Sequence, residues 1–244
     1  MTDLIIANIL FNLPITLRKQ LFVGEHAFCP ICHSHLSGFL TALSSPMSWC
    51  PVCRSLQRHR LIWLFLERFH LITPEQPQTM LHFAPEPGLA RRFAQMHHLR
   101  YVTADLFDPS VMMRFDITTI PFNDHTFDLI LCSHVLEHVP NDHQAMRELY
   151  RVLKPGGIAL ILVPIQGEHT FEDATITDPL LRERYFGRFD HVRTYGIDVI
   201  QRLQQAGFSV KAVDVKDIAA DQAEIERMGL PPREKIFVCC NEPG

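Results

Sequence analysis

From residue 79 onward, short apolar runs alternate with amphipathic stretches, and that alternation restricts the chain more than any other feature it has. The runs Thr79–Phe83, Arg100–Asp105, Phe127–Cys132, Gly157–Pro164, Ser209–Val215 and Lys235–Cys240 read as strands. Leu89–His98, Asp142–Leu153 and Ile197–Ala206 between them read as helices. Strands separated by helical crossovers pair in parallel, and the crossovers cover both faces of the sheet, so the expected class is α/β with a mostly parallel sheet. Glycines in "LKPGG" and "QQAGF" mark two helix ends. With 244 residues there is room for one such domain and a small appendage. The polar stretch "TPEQPQ" divides the two. Expected are an N-terminal region, residues 1–75, holding a helix, a cysteine-rich segment and the apolar helix "SLQRHRLIWLFLERFHLI", and a domain over residues 76–244.

Composition narrows the function classes. The chain is 47% hydrophobic and 20% charged with a net charge of −4, which argues against a broadly basic nucleic-acid surface. Its apolar runs are too short to span a bilayer. The N-terminal "LIIANILFNLP" follows Asp3 and lacks a basic leader, so it reads as a packed helix rather than a signal peptide, and a cytoplasmic protein is expected.

Four of the seven cysteines, Cys29, Cys32, Cys50 and Cys53, form C-x2-C-x17-C-x2-C. Two tight turns, each carrying two thiolates, can close a tetrahedron, so a structural Zn²⁺ ribbon is expected. Arg54, Arg58, His59 and Arg60 follow the second pair. They could meet a phosphate, a carboxylate or RNA, or form a solvated, salt-bridged helix face.

The stretch "PFNDHTFDLILCSHVLEHVPNDHQAMRELYRVLKPGGIALILVP", residues 121–164, resembles the small-molecule, type 11-like branch of the class I S-adenosylmethionine-dependent methyltransferases. The resemblance carries "FDLI", "VLEHV", "MRELYRVLKPGG" and the following strand in order, and extends from residue 79 to the end of the chain. It implies a Rossmann-like seven-stranded sheet of order 3-2-1-4-5-7-6 with an antiparallel last strand. It also implies S-adenosylmethionine as cofactor, with the ribose on Asp105, the adenine amino group on Asp116, Ile117 against the ring, and Cys132 and Ser133 near the methionine end. Where the family has an acidic residue and three glycines, this chain has His82, Ala84, Glu86 and Gly88. Ala84 and Gly88 are expected to let the cofactor approach, and the Glu86 carboxylate to attract the sulfonium or the ammonium.

"HVLEH" places His134, Glu137 and His138 on one face if helical, with His191 further on. Two readings stay open: a divalent-metal set, or a helix entry with Glu137 and His138 hydrogen-bonded in place. His134 and His138 are also candidate general bases. The expected activity is methyl transfer to an oxygen or nitrogen of a small-molecule acceptor. The alternatives are an RNA base methyltransferase that uses its ribbon for RNA, and a non-catalytic binding protein with a degenerate cofactor loop.

Overall fold

The computed structural model describes residues 10–41 and 48–242. Of the expected N-terminal helix, residues 1–9 lie outside the described residues and 10–12 are helical. The chain gathers into two compact units. One holds the N-terminal residues to Pro74 with Glu86–His97 and Asp214–Arg233; the other holds Glu75–Pro85, His98–Val213 and Glu234–Gly244.

In the first unit, strands Val23–Cys29 and Ser34–Leu36 pair antiparallel. The turn between them carries Cys29 and Cys32. A shorter pair, Leu40–Thr41 with Ser48–Trp49, leads to Cys50 and Cys53. The four sulfurs all lie within 4.8 Å of one another, with Cys29 to Cys53 at 3.6 Å and Cys32 to Cys50 at 3.7 Å. Tetrahedral Zn²⁺ with Zn–S of about 2.3 Å requires sulfur–sulfur distances of roughly 3.8 Å, so the quartet fits that ion.

Helix Gln57–Arg68 buries every residue from His59 to Leu66, as expected of an element apolar on all sides. Arg60, in its basic start, fits neither reading of that cluster. Arg60 is 0% exposed and donates to the carbonyls of Ser48, Ser55, Met228 and Gly229 and to Ser48 Oγ, with its guanidinium 3.8 Å from the Phe39 ring centroid. It is a clamp within the unit rather than a solvated or ligand-binding cation. His59 Nδ1 accepts from Leu56 N–H at 3.2 Å, which leaves the proton on Nε2, 3.4 Å from Glu86 Oε1.

The second unit is built on a seven-stranded sheet: β1 (Gln78–Phe83), β2 (Leu99–Asp105), β3 (Met113–Arg114), β4 (Phe127–Ser133), β5 (Leu153–Leu162), β6 (Ser209–Asp214) and β7 (Lys235–Cys240). Its order is β3-β2-β1-β4-β5-β7-β6, the expected 3-2-1-4-5-7-6. Strands β1 to β5 pair in parallel and β7 lies antiparallel to β5. Helix Asp142–Val152 opens on an Asn141 cap and buries Ala145, Met146, Leu149 and Val152 along one stripe, against a core that includes Phe127, Ile130 and Ile161. The helix expected to reach His98 spans only Pro87–Phe93. Gln95 and Met96 donate three residues back, tightening the end so that the chain can enter β2 at Leu99.

The register positions the site. Phe83 pairs with Ala104 on one side and Cys132 on the other, so β1, β2 and β4 end level. Ala84, Asp105 and His134 therefore emerge at one edge of the sheet, the carboxyl end where ligands bind in open α/β sheets.

Candidate active site

That edge opens on a cavity of about 420 Å³ in the sheet unit, lined by Phe83, Phe115 and Ile117 on its apolar side and by Asp105, Asp116, His134, His138 and Asp190 among its polar groups. Asp105 Oδ1 accepts from the N–H groups of Phe107 and Asp108 at 2.7 and 2.8 Å. This pins the turn after β2 and leaves Oδ2 for a further donor. Asp116 likewise uses Oδ1 for the Thr118 N–H and hydroxyl, both at 2.8 Å. The cavity thus has two carboxylates, each with Oδ1 already committed to its own turn, alongside the apolar Phe115 and Ile117.

Two strand ends carry unusual backbone. Ala84 has φ of 47° and His134 of 55°, the left-handed region, yet both N–H groups stay bonded, to Ala104 O at 2.9 Å and Leu162 O at 2.8 Å. Left-handed turns let the chain leave β1 and β4 sharply, and after β4 Val135, His138 and Val139 line the cavity.

Beyond His134, Leu136–His138 form one 3₁₀ turn. Glu137 is 1% exposed, and neither carboxylate oxygen accepts a hydrogen bond among the described residues; His134 Nδ1 lies 3.4 Å away. His138 Nδ1 meets the Asp190 carbonyl at 3.3 Å, and His191 Nδ1 meets the Phe186 carbonyl at 3.1 Å. A carbonyl can only accept, so both protons sit on Nδ1 and both Nε2 lone pairs are left for a ligand or a proton. Burial pushes the His191 imidazole below its ordinary value, against the pull of Glu137. The two rings stand edge to face, centroids 4.7 Å apart. Glu137, His138 and His191 each offer a ligand atom within 4.8 Å of the others.

Comparison with known proteins matches residues 84–161 to the family described as "Methyltransferase domain". The [4+2]-cyclase SpnF has a similar solved fold, with a TM-score of 0.55 at 18% identity, over 78% of this chain and 84% of that one. Residues 84–161 thus match a methyltransferase-domain family, and the sheet unit has the class I methyltransferase fold. Among curated relatives, the mitochondrial arginine hydroxylase NDUFAF5 of Danio rerio is 30% identical over 118 residues, 48% of this chain and 36% of that protein. The ubiquinone/menaquinone biosynthesis C-methyltransferase UbiE of Hydrogenovibrio crunogenus is 39% identical over 66 residues, 27% of this chain and 22% of that one. The chain thus spans well under half the length of either relative.

The sheet unit brings Ala84, Asp105, Asp116, Ile117, His134 and His138 to its cavity. Cys132 and Ser133 are buried and are not among the lining residues. Neither are Glu86 and Gly88, and here the expectation is corrected. The Glu86 carboxylate faces His59, and a β-carbon at Gly88 would lie 3.3 Å from the Cys53 carbonyl oxygen. Both residues serve the cysteine-bearing unit: Gly88 lets its helix pack tightly on the second thiolate turn.

One determinant had no signal in the sequence. Arg193 is 3% exposed and donates to the carbonyls of Leu136, Val139 and Pro140, so it fixes the turn that carries Glu137 and His138. It also donates to Glu172 at 2.9 Å, and Asp142 lies 3.6 Å away. Asp142 in turn accepts from the Tyr195 hydroxyl at 2.7 Å and from Arg202. Burial and the Asp142 carboxylate push the Tyr195 phenol up, keeping it a neutral donor.

The strained Ala84 yields a direct prediction. Ala84→Gly removes a left-handed penalty of about 1–2 kcal/mol and adds about 0.5–1 kcal/mol of chain entropy. The variant should therefore unfold at higher urea concentration, by about 0.5–1 kcal/mol. A lower midpoint would show that the Ala84 β-carbon packs favourably enough to outweigh its backbone.

Proposed function

We propose that this chain transfers the methyl group of S-adenosylmethionine to an oxygen or nitrogen of a small acceptor. The observation that carries the reading is that Asp105 and Asp116 line one cavity with the apolar Phe115 and Ile117 at the carboxyl end of the sheet. A nucleoside needs that arrangement: a carboxylate for the ribose hydroxyls, an acceptor for the adenine amino group, and apolar contact for the base, here from Ile117 and Phe115. When bound, the cofactor supplies a sulfonium methyl already activated for displacement, so positioning carries much of the catalysis. Ala84 lets the β1 loop turn away from the ligand. His138, its Nε2 lone pair held ready by the Asp190 carbonyl, takes the acceptor proton. His134, between Glu137 and Glu234, orients the acceptor.

The test is calorimetric titration with S-adenosylhomocysteine. The expected result is saturable binding that weakens about 100-fold in Asp105→Ala, the loss of charge-assisted hydrogen bonds to the ribose. Absence of binding by the unaltered protein would refute the reading and favour a non-catalytic binding role.

The buried Glu137 supports a second reading, an alternative to His138 as the base, in which Glu137, His138 and His191 hold a divalent transition-metal ion at the acceptor end. Two imidazoles and one carboxylate suit Zn²⁺, Mn²⁺ or Fe²⁺ better than Mg²⁺, and the Nδ1 bonds to Asp190 and Phe186 are the outer contacts such ligands require. Metal analysis then finds an equivalent beyond the thiolate quartet, lost in His138→Ala. If His138→Ala leaves the metal content unchanged, the histidine acts as a base alone.

A further inference from the structure

The cysteine-bearing unit has a cavity of its own, about 270 Å³ in volume, onto which three arginines converge: Arg18, Arg54 and Arg91. Each is held differently. Arg18 is 5% exposed, with Nε on the Leu13 carbonyl at 3.1 Å and Nη1 on the Pro51 carbonyl at 3.2 Å, which leaves Nη2. Arg54 stands 4.7 Å from the Phe11 ring centroid and donates to the Phe11 carbonyl. Its backbone is left-handed, with φ of 66°, immediately after Cys53. His33, which follows the other thiolate pair, has the same backbone with φ of 50°, so this geometry belongs to the cysteine turns and sets where the Arg54 side chain leaves them. Arg91 comes from helix Pro87–Phe93.

No carboxylate lies within ion-pair distance of any of the three among the described residues. Burial, with repulsion from Arg54 and Arg91, depresses the Arg18 guanidinium. Three guanidinium groups therefore line one concave site with no carboxylate partner among the described residues.

We propose that this cavity binds a phosphate-type oxyanion, a phosphoryl group carried by a small ligand. Guanidinium forks match phosphate oxygens two at a time, and three of them suit a dianion or a pyrophosphate. A small ligand is favoured over nucleic acid because the site is a pocket rather than a basic track and the chain carries a net charge of −4.

The experiment titrates the full chain with inorganic phosphate, with inorganic pyrophosphate and with a short single-stranded oligoribonucleotide at low ionic strength. The unaltered protein is compared with the double variant Arg54→Gln/Arg91→Gln, whose two side chains are exposed, and separately with Arg18→Lys. Saturable pyrophosphate binding should weaken about tenfold or more in the double variant. S-adenosylhomocysteine binding, measured in parallel, should not change, which keeps this site's fate separate from that of the methyl-transfer reading. Arg18→Lys, which keeps the charge and loses the fork, should weaken pyrophosphate binding less. The proposal falls if pyrophosphate does not bind saturably or binds the double variant equally well. It falls equally if the oligoribonucleotide binds far tighter with a steep salt dependence, which would make the arginines an RNA contact.

Discussion

Arg193→Met is expected to destabilise the methyltransferase domain by about 3–5 kcal/mol, the cost of leaving a buried partner charge uncompensated. Methionine fills much of the volume but donates nothing. The carbonyls of Leu136, Val139 and Pro140 lose their donor together, while Asp142 and Glu172 keep only Arg202 as a cation. The turn that carries Glu137 and His138 then has no anchor, so methyl transfer should fall even at temperatures where the variant stays folded. Urea unfolding of the two proteins measures the first effect. A loss below about 1 kcal/mol would mean that water replaces the guanidinium at little cost. The same network confers acid sensitivity. Burial acts to raise the Glu172 carboxyl, but Arg202 and Arg193 outweigh it and hold it below its ordinary value. Its stabilising contribution is therefore fully present above the unfolded value of about 4.3 and is lost as pH falls through the lower folded value. Glu172→Gln should flatten the stability profile in that acid range.

Removing the thiolate-bound ion should have a still larger effect, confined to the cysteine-bearing unit. Its strands are two, three and seven residues long, too little sheet to stand without a cross-link. Structural zinc contributes about 10–16 kcal/mol in comparable small sites, so most of the unit's cohesion depends on it. Cys50→Ser, or exhaustive chelation, should abolish one zinc equivalent and expose Val23–Arg68 to protease, while the methyltransferase domain keeps its own transition. A zinc-free protein with native melting and protease resistance would refute the assignment.

Much of this architecture could be read from residue patterns. The buried strands announce themselves because parallel strands covered on both faces are continuous apolar runs, as in "FDLILC" and "IALILV". Strand β3 did not, because two exposed residues, Met113 and Arg114, carry no pattern. That Asp105, Asp116 and Ile117 gather at one edge of the sheet was legible because it depends only on strand order. Glu86 and Gly88 were misread because their partners, His59 and Cys53, precede them in a segment that local periodicity cannot bring near. Arg193 sits in the polar run "DHVRTYG", where nothing local indicates a side chain turned inward.

The left-handed residue at 134 separates two demands that ordinarily coincide. Glycine, asparagine and aspartate adopt that backbone with ease, whereas valine, isoleucine and threonine do not. A saturation library at this position would therefore sort into replacements that keep the fold but lack an imidazole and replacements that fail to fold. Any activity retained by the first group measures how much of the chemistry His134 itself supplies, free of the structural confusion that attends most active-site substitutions.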